Sequence, residues 1–156
     1  IYEGTNGIQA LDLLKRKLFL ENGKTLEKLI EKMKKDSDEC KNSSVIEISQ
    51  IGNLMDSSIK SLENGANWLK NELNQNPENA AAGATPFLNM FGWILGGWVM
   101  CKSSLNAEIN AKKDLSEQFC KDKINTSLFF CTTYLPTASS LLSTIKNSYK
   151  TIGVIN

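Results

Sequence analysis

The stretch Ile1-Tyr2-Glu3-Gly4-Thr5-Asn6-Gly7-Ile8-Gln9 sets one carboxylate, Glu3, between an aromatic residue and a glycine, just ahead of an amphipathic segment. A carboxylate can move protons when burial and positioning tune it; at a frayed terminus it is only a solvated charge. The rest of the chain offers less chemistry. It has no histidine, which removes Ser-His-Asp and Cys-His catalysis within it. The four cysteines, Cys40, Cys101, Cys120 and Cys131, show no C-x-x-C spacing, and without histidine a zinc site would need Cys or carboxylate ligands brought from afar. No metal is expected. The cysteines read as reduced thiols, three of them in core-like segments, which favours a cytoplasmic setting. No glycine-rich loop follows a strand, no carboxylate pair recurs at metal-ligand spacing, and the basic residues are not interleaved with aromatics as base stacking requires.

The elements that must position Glu3 are helical. No strand-like alternation bounded by hairpin turns occurs, whereas steps of three and four recur in every long segment, so the chain reads as all-α. At 156 residues it fits one domain of ordinary size. Its 18 Lys+Arg against 17 Asp+Glu leave a net charge of +1, no reason to expect nucleic acid or an anionic membrane as partner.

Ile8, Leu11, Leu14 and Leu18 form a first stripe that Asn22 and Gly23 can end. Leu26, Leu29, Ile30 and Met33 mark a second, shorter helix running into an exposed polar loop from Asp36 to Ser44. Ile48, Ile51, Met55, Ile59, Leu62, Ala66, Leu69 and Leu73 mark the longest, stopped by Asn74 to Pro77. The uncharged stretch from Ala80 to Cys101 must be tested as a membrane span. After Pro86 only about 15 residues remain before Lys102, short of the ~20 a bilayer needs, so a buried core helix is expected. In it Phe87, Met90, Phe91, Ile94, Leu95 and Trp98 share a face, with Gly92 and Gly96 admitting a close neighbour; the cluster of Trp93, Trp98, Phe87 and Phe91 reads as core rather than a cofactor box. A fifth helix carries Cys120, Ile124, Leu128, Cys131 and Leu135 and meets Pro136, which either kinks it or starts a sixth bearing Leu141, Leu142, Ile145 and Tyr149. The expectation is an antiparallel bundle of about five or six helices, one kinked or broken at Pro136.

Tyr2, Glu3, Gly4, Thr5, Asn6, Ile8 and Gln9 in register, followed by a helix, closely resemble the catalytic-base segment of the acyl-CoA dehydrogenases. These are flavoenzymes of fatty acid beta-oxidation that turn acyl-CoA into trans-2-enoyl-CoA. The likeness covers about the first 20 residues by that motif. ATPFLNMFGWILGGWVMCKSSL and KDKINTSLFFCTTYLPTASSLL resemble the additional C-terminal helical domain of longer bacterial-type members. Peroxisomal acyl-CoA oxidases resemble E-G-D-N at the motif rather than E-G-T-N, so a dehydrogenase is favoured.

The resemblance implies that Glu3 is the base for the α-proton and that Gly4 lets the acyl-CoA substrate approach closely. It implies that Thr5, Asn6 and Gly7 contact FAD near a helix N-terminus. Gly7 replaces the glutamine that many members carry, leaving backbone contact alone at that position. Electron-transfer flavoprotein is the implied acceptor, and a homo-oligomer is expected. Residues 1–23 would end the catalytic bundle and residues 24–156 would form the additional domain. The chain thus reads as a C-terminal piece of a larger enzyme, inactive alone. The alternative is a non-catalytic helical interaction or dimerisation module after about Gly23.

Overall fold

The computed structural model describes residues 4–111 and 116–149, and every element among them is helical. A short helix α1 (Thr5–Lys15) leads through a tight 3₁₀ segment (Lys17–Gly23) into four long helices: α2 (Lys24–Lys41), α3 (Ile46–Gln75), α4 (Pro77–Ala111) and α5 (Glu117–Asn147). Neighbouring long helices run antiparallel. Ser37 and Lys41 of α2 meet Gly52 of α3, whereas Lys34 pairs with Glu63. Gly65 and Leu69 of α3 meet Phe87 and Gly83 of α4, and Gly83 and Gly97 of α4 meet Ile145 and Leu135 of α5.

The longest predicted stripe is the core of α3: Ile48, Ile51, Met55, Ile59, Leu62, Ala66 and Leu69 are all buried, and Leu73, at its end, is half-buried against that core. Proline suits the first position of α4, where its missing N–H is no loss. That helix buries Ala80, Ala84, Phe87, Met90, Ile94 and Cys101 on one side. Among the described residues no helix is long and apolar enough to cross a membrane.

Four expectations need correction. The stripe on α1 is rotated: Ala10, Leu13 and Leu14 are buried, while Ile8 is 67% exposed and Leu11 also lies outside. Its helix ends at Lys15, and the chain reverses later, where Glu21, Asn22 and Gly23 take left-handed φ values of 53°, 60° and 93°. Second, the polar run from Asp36 is not a loop as far as Lys41, because α2 continues through it with small Ser37 and Cys40 facing inward.

Third, Gly96 and Gly97 receive Phe130 and Leu135, but a Cβ on Gly92 would meet nothing within 4 Å. The tightest crossing is instead at Gly52, where a Cβ would lie 2.6 Å from the Lys41 backbone nitrogen and 2.8 Å from the Ser37 carbonyl oxygen. Fourth, α5 passes through Pro136 without a break, so among the described residues no sixth helix forms and the count of five or six full helices does not hold. Pro136 and Thr132, whose carbonyl loses its helical donor, are both exposed, and on the solvent side water can serve that carbonyl.

All four cysteines are free and buried. Burial pushes the Cys131 thiol up to about 12, and only the thiolate reacts quickly. Ellman's reagent should therefore leave the folded chain essentially unlabelled over a period in which the unfolded chain yields all four thiols. Prompt labelling of Cys131 in the folded state would contradict this packing.

Candidate functional site

Glu3 lies outside the described residues, and the structure places the motif from Gly4 onward. Gly4 precedes α1 in an extended conformation with φ 178°, and Thr5, Asn6 and Gly7 form the first turn, where the Ile8 N–H bonds the Gly4 carbonyl at 3.3 Å. All four residues are exposed. Thr5 is already helical, Gly4 occupies the cap position, and no side chain bonds there. A Cβ on Gly4 or Gly7 would meet nothing within 4 Å.

The start of a helix leaves first-turn amides without intrahelical acceptors and carries partial positive charge. An anionic group of a cofactor fits this open turn, which forms one wall and not an enclosed cavity. Behind it, Ala10, Leu13 and Leu14 anchor α1 to the bundle, chiefly against α4. At its far end Asp12 holds Arg16 through paired contacts of 2.7 and 2.9 Å. The Arg16 hydrogen bond and the nearby Lys17 hold the Asp12 carboxyl below its ordinary range. This clamp fixes the last turn of α1 where the 3₁₀ segment begins.

The aromatic residues do not form one core cluster. Phe87 is buried and stacks with Phe91 at 6.1 Å between ring centroids. Trp98 donates its indole N–H to Asp36 at 2.6 Å and lies under Lys102, tying α4 to α2. Trp93 is at the surface, stacked on Tyr134 at 4.3 Å. None of them lines a cavity with the first turn of α1. Among the described residues no group of His, Cys, Asp and Glu could hold a metal ion.

The family described as acetyl-CoA dehydrogenase C-terminal like matches residues 24–153. The chain belongs to this family. It is also 30% identical, over 148 residues and 95% of its length, to a 3-methylmercaptopropionyl-CoA dehydrogenase of Ruegeria pomeroyi. The chain spans about a quarter of that relative's length. As an acetyl-CoA dehydrogenase C-terminal-like chain, it has its family match on the four long helices, while the first turn of α1 lies ahead of the matched residues. Sequence reasoning found the motif there, but not that α1 exposes Ile8 and Leu11 beside it. A helix with apolar residues on more than one side gives no unique register from spacing alone.

Proposed function

We propose that this chain is the C-terminal part of an FAD-dependent acyl-CoA dehydrogenase, with residues 1–23 ending the catalytic helical bundle and residues 24–156 forming an additional helical domain. The observation that carries the reading is that the residues following Glu3 in the sequence, Gly4, Thr5 and Asn6, form the exposed start of α1, ahead of a family match over residues 24–153. Glu3 takes the α-proton of the acyl-CoA. A general base for this step must be placed within reach of the α-carbon, in a site that excludes water. Gly4, with no side chain, lets the thioester come close. The first turn at Thr5, Asn6 and Gly7 would hold an anionic part of FAD, with Gly7 offering backbone alone. The chemistry a bound flavin supplies is acceptance of the hydride leaving the β-carbon.

Electron-transfer flavoprotein as acceptor, a cytoplasmic location and a homo-oligomeric state complete this reading. A second role, as a helical interaction module, is favoured by exposed Val99 and Phe129 on α4 and α5 and is compatible with the first. The purified chain should show no flavin absorbance and form no enoyl-CoA, whereas the longer polypeptide that contains it should show the absorbance and form the product. Flavin retained by the chain alone, together with turnover, would refute its proposed inactivity. An upstream region without a flavin-binding core would remove the dehydrogenase reading.

A further inference from the structure

A groove of about 550 Å³ lies where the 3₁₀ segment, α2 and α4 come together. Its depth is apolar. Leu13 and Leu18 are buried there, and Leu26, Leu29, Phe91 and Trp98 are half-buried. Leu20 stands 42% exposed at the mouth. Because these side chains line one cavity, their apolar surface is continuous. The groove is also long. Thr25 and Lys32 bound it on α2, and Phe91 and Trp98 on α4; each pair is seven residues apart, a span of about 10 Å.

The mouth is basic. Lys17, Lys28 and Lys32 line it against a single acid, Glu21. Lys17 lies 3.3 Å from Asp12, which already holds Arg16, and Lys28 lies 3.4 Å from Glu21. Lys32 forms no ion pair among the described residues. Elsewhere the chain matches its charges closely: Lys34 meets Glu63 at 2.6 Å, and Lys60 meets Asp56 at 2.7 Å. Asp36, beside the groove, accepts the Trp98 indole N–H, and Lys102 sits 5.0 Å over the Trp98 ring. The groove thus keeps an excess of positive charge above an apolar floor.

We propose that this groove binds a free fatty-acid anion, with the alkyl chain along Leu29 and Phe91 and the carboxylate at the mouth beside Lys32 and Lys28. An elongated apolar cleft suits a linear chain, and a few polar groups at one edge fix its direction. A small, fully hydrated anion would leave the floor unused, and a neutral hydrocarbon would leave the lysines unanswered. The proposal does not draw on the first turn of α1, since Gly4, Thr5, Asn6 and Gly7 do not line the groove. Leu13 of α1 does, so an occupant would join α1 to α2 and α4.

The test is titration of the full chain with ω-bromoundecanoate, whose bromine quenches a tryptophan that it touches. Trp98 lines the groove, whereas Trp68 and Trp93 do not. Quenching should saturate, disappear in Trp98→Phe and persist in Trp93→Phe. Undecanoate should still raise the melting temperature of Trp98→Phe, because a ligand that binds the folded state stabilises it. Leu20→Glu puts a like charge in the mouth at a partly exposed position and should weaken binding by about 100-fold. Lys32→Glu should weaken it by about 10-fold, and Lys60→Ala, on α3, should leave it unchanged. Undecanol, without the charge, should bind about 10-fold more weakly than the acid. Quenching that is absent, that does not saturate, or that Trp98→Phe preserves would overturn the groove as the site. Equal binding of acid and alcohol, unaffected by Lys32→Glu, would overturn recognition of the anion. Binding to phosphatidylglycerol vesicles without saturable binding of the free acid would overturn the proposal in favour of a lipid surface.

Discussion

Glu3→Gln in the longer enzyme should keep the flavin spectrum and lower kcat/KM by about 10²- to 10⁴-fold, the range that a positioned general base supplies. The amide matches the carboxylate in shape and can occupy the same place, but it cannot accept the α-proton at neutral pH. Stopped-flow reduction of the bound flavin by acyl-CoA isolates this step from later electron transfer. Glu3→Asp separates position from chemistry: it keeps a carboxylate and withdraws it by about 1 Å, a displacement that can cost about 10²-fold. Near-normal flavin reduction in Glu3→Gln would take Glu3 out of the role. Loss of flavin from that variant would point to a structural duty instead.

The second large effect is at Gly52. Its missing side chain lets α3 lie against the end of α2, where the Ser37 hydroxyl donates to the Gly52 carbonyl at 2.9 Å. A Cβ there would face backbone atoms at 2.6 and 2.8 Å and the Cys40 Cβ at 2.9 Å. Backbone cannot rotate away as a side chain can, so the helices must part. Gly52→Val should destabilise the fold by about 3 kcal/mol or more, lowering the melting temperature by about 6–12 °C in a chain of this size. Gly92→Ala is the contrasting case. Its Cβ enters open space, and the gain in helix propensity should stabilise by up to about 1 kcal/mol. If thermal unfolding showed the two substitutions to be equivalent, the close crossing of α2 and α3 would be wrong.

These two glycines show where sequence reading succeeds and where it stops. Spacing identifies helices because burial imposes it: the stripe from Ile48 to Leu69 is buried throughout. Spacing does not identify which small residue a neighbouring helix needs. Gly92 sits in the long uncharged run and invites a packing role that it lacks, while Gly52, between Ile51 and Asn53, attracts no notice and has one. The run from Asp36 to Lys41 misleads for a related reason, since polar composition suggests a loop while Ser37 and Cys40 supply a narrow inner face. On α1, apolar residues at 8, 11, 14 and 18 compete with 10, 13 and 14 for the inner side, and contact with α4 decides between them. The candidate site is legible as a motif through Glu3 to Gly7, but a motif does not state how open the turn that carries it is.

The corner at Glu21, Asn22 and Gly23 gives the small helix before it a mechanical property. Successive left-handed residues, two of them not glycine, make a bend that resists adjustment, since each such conformation is disfavoured for ordinary side chains. Between this corner and α1 lies buried Leu18, and α1 is held on α4 by Ala10, Leu13 and Leu14. The short helix is thus fixed both along its inner side and through the segment that follows it, which leaves its exposed first turn a rigid ledge for whatever docks there.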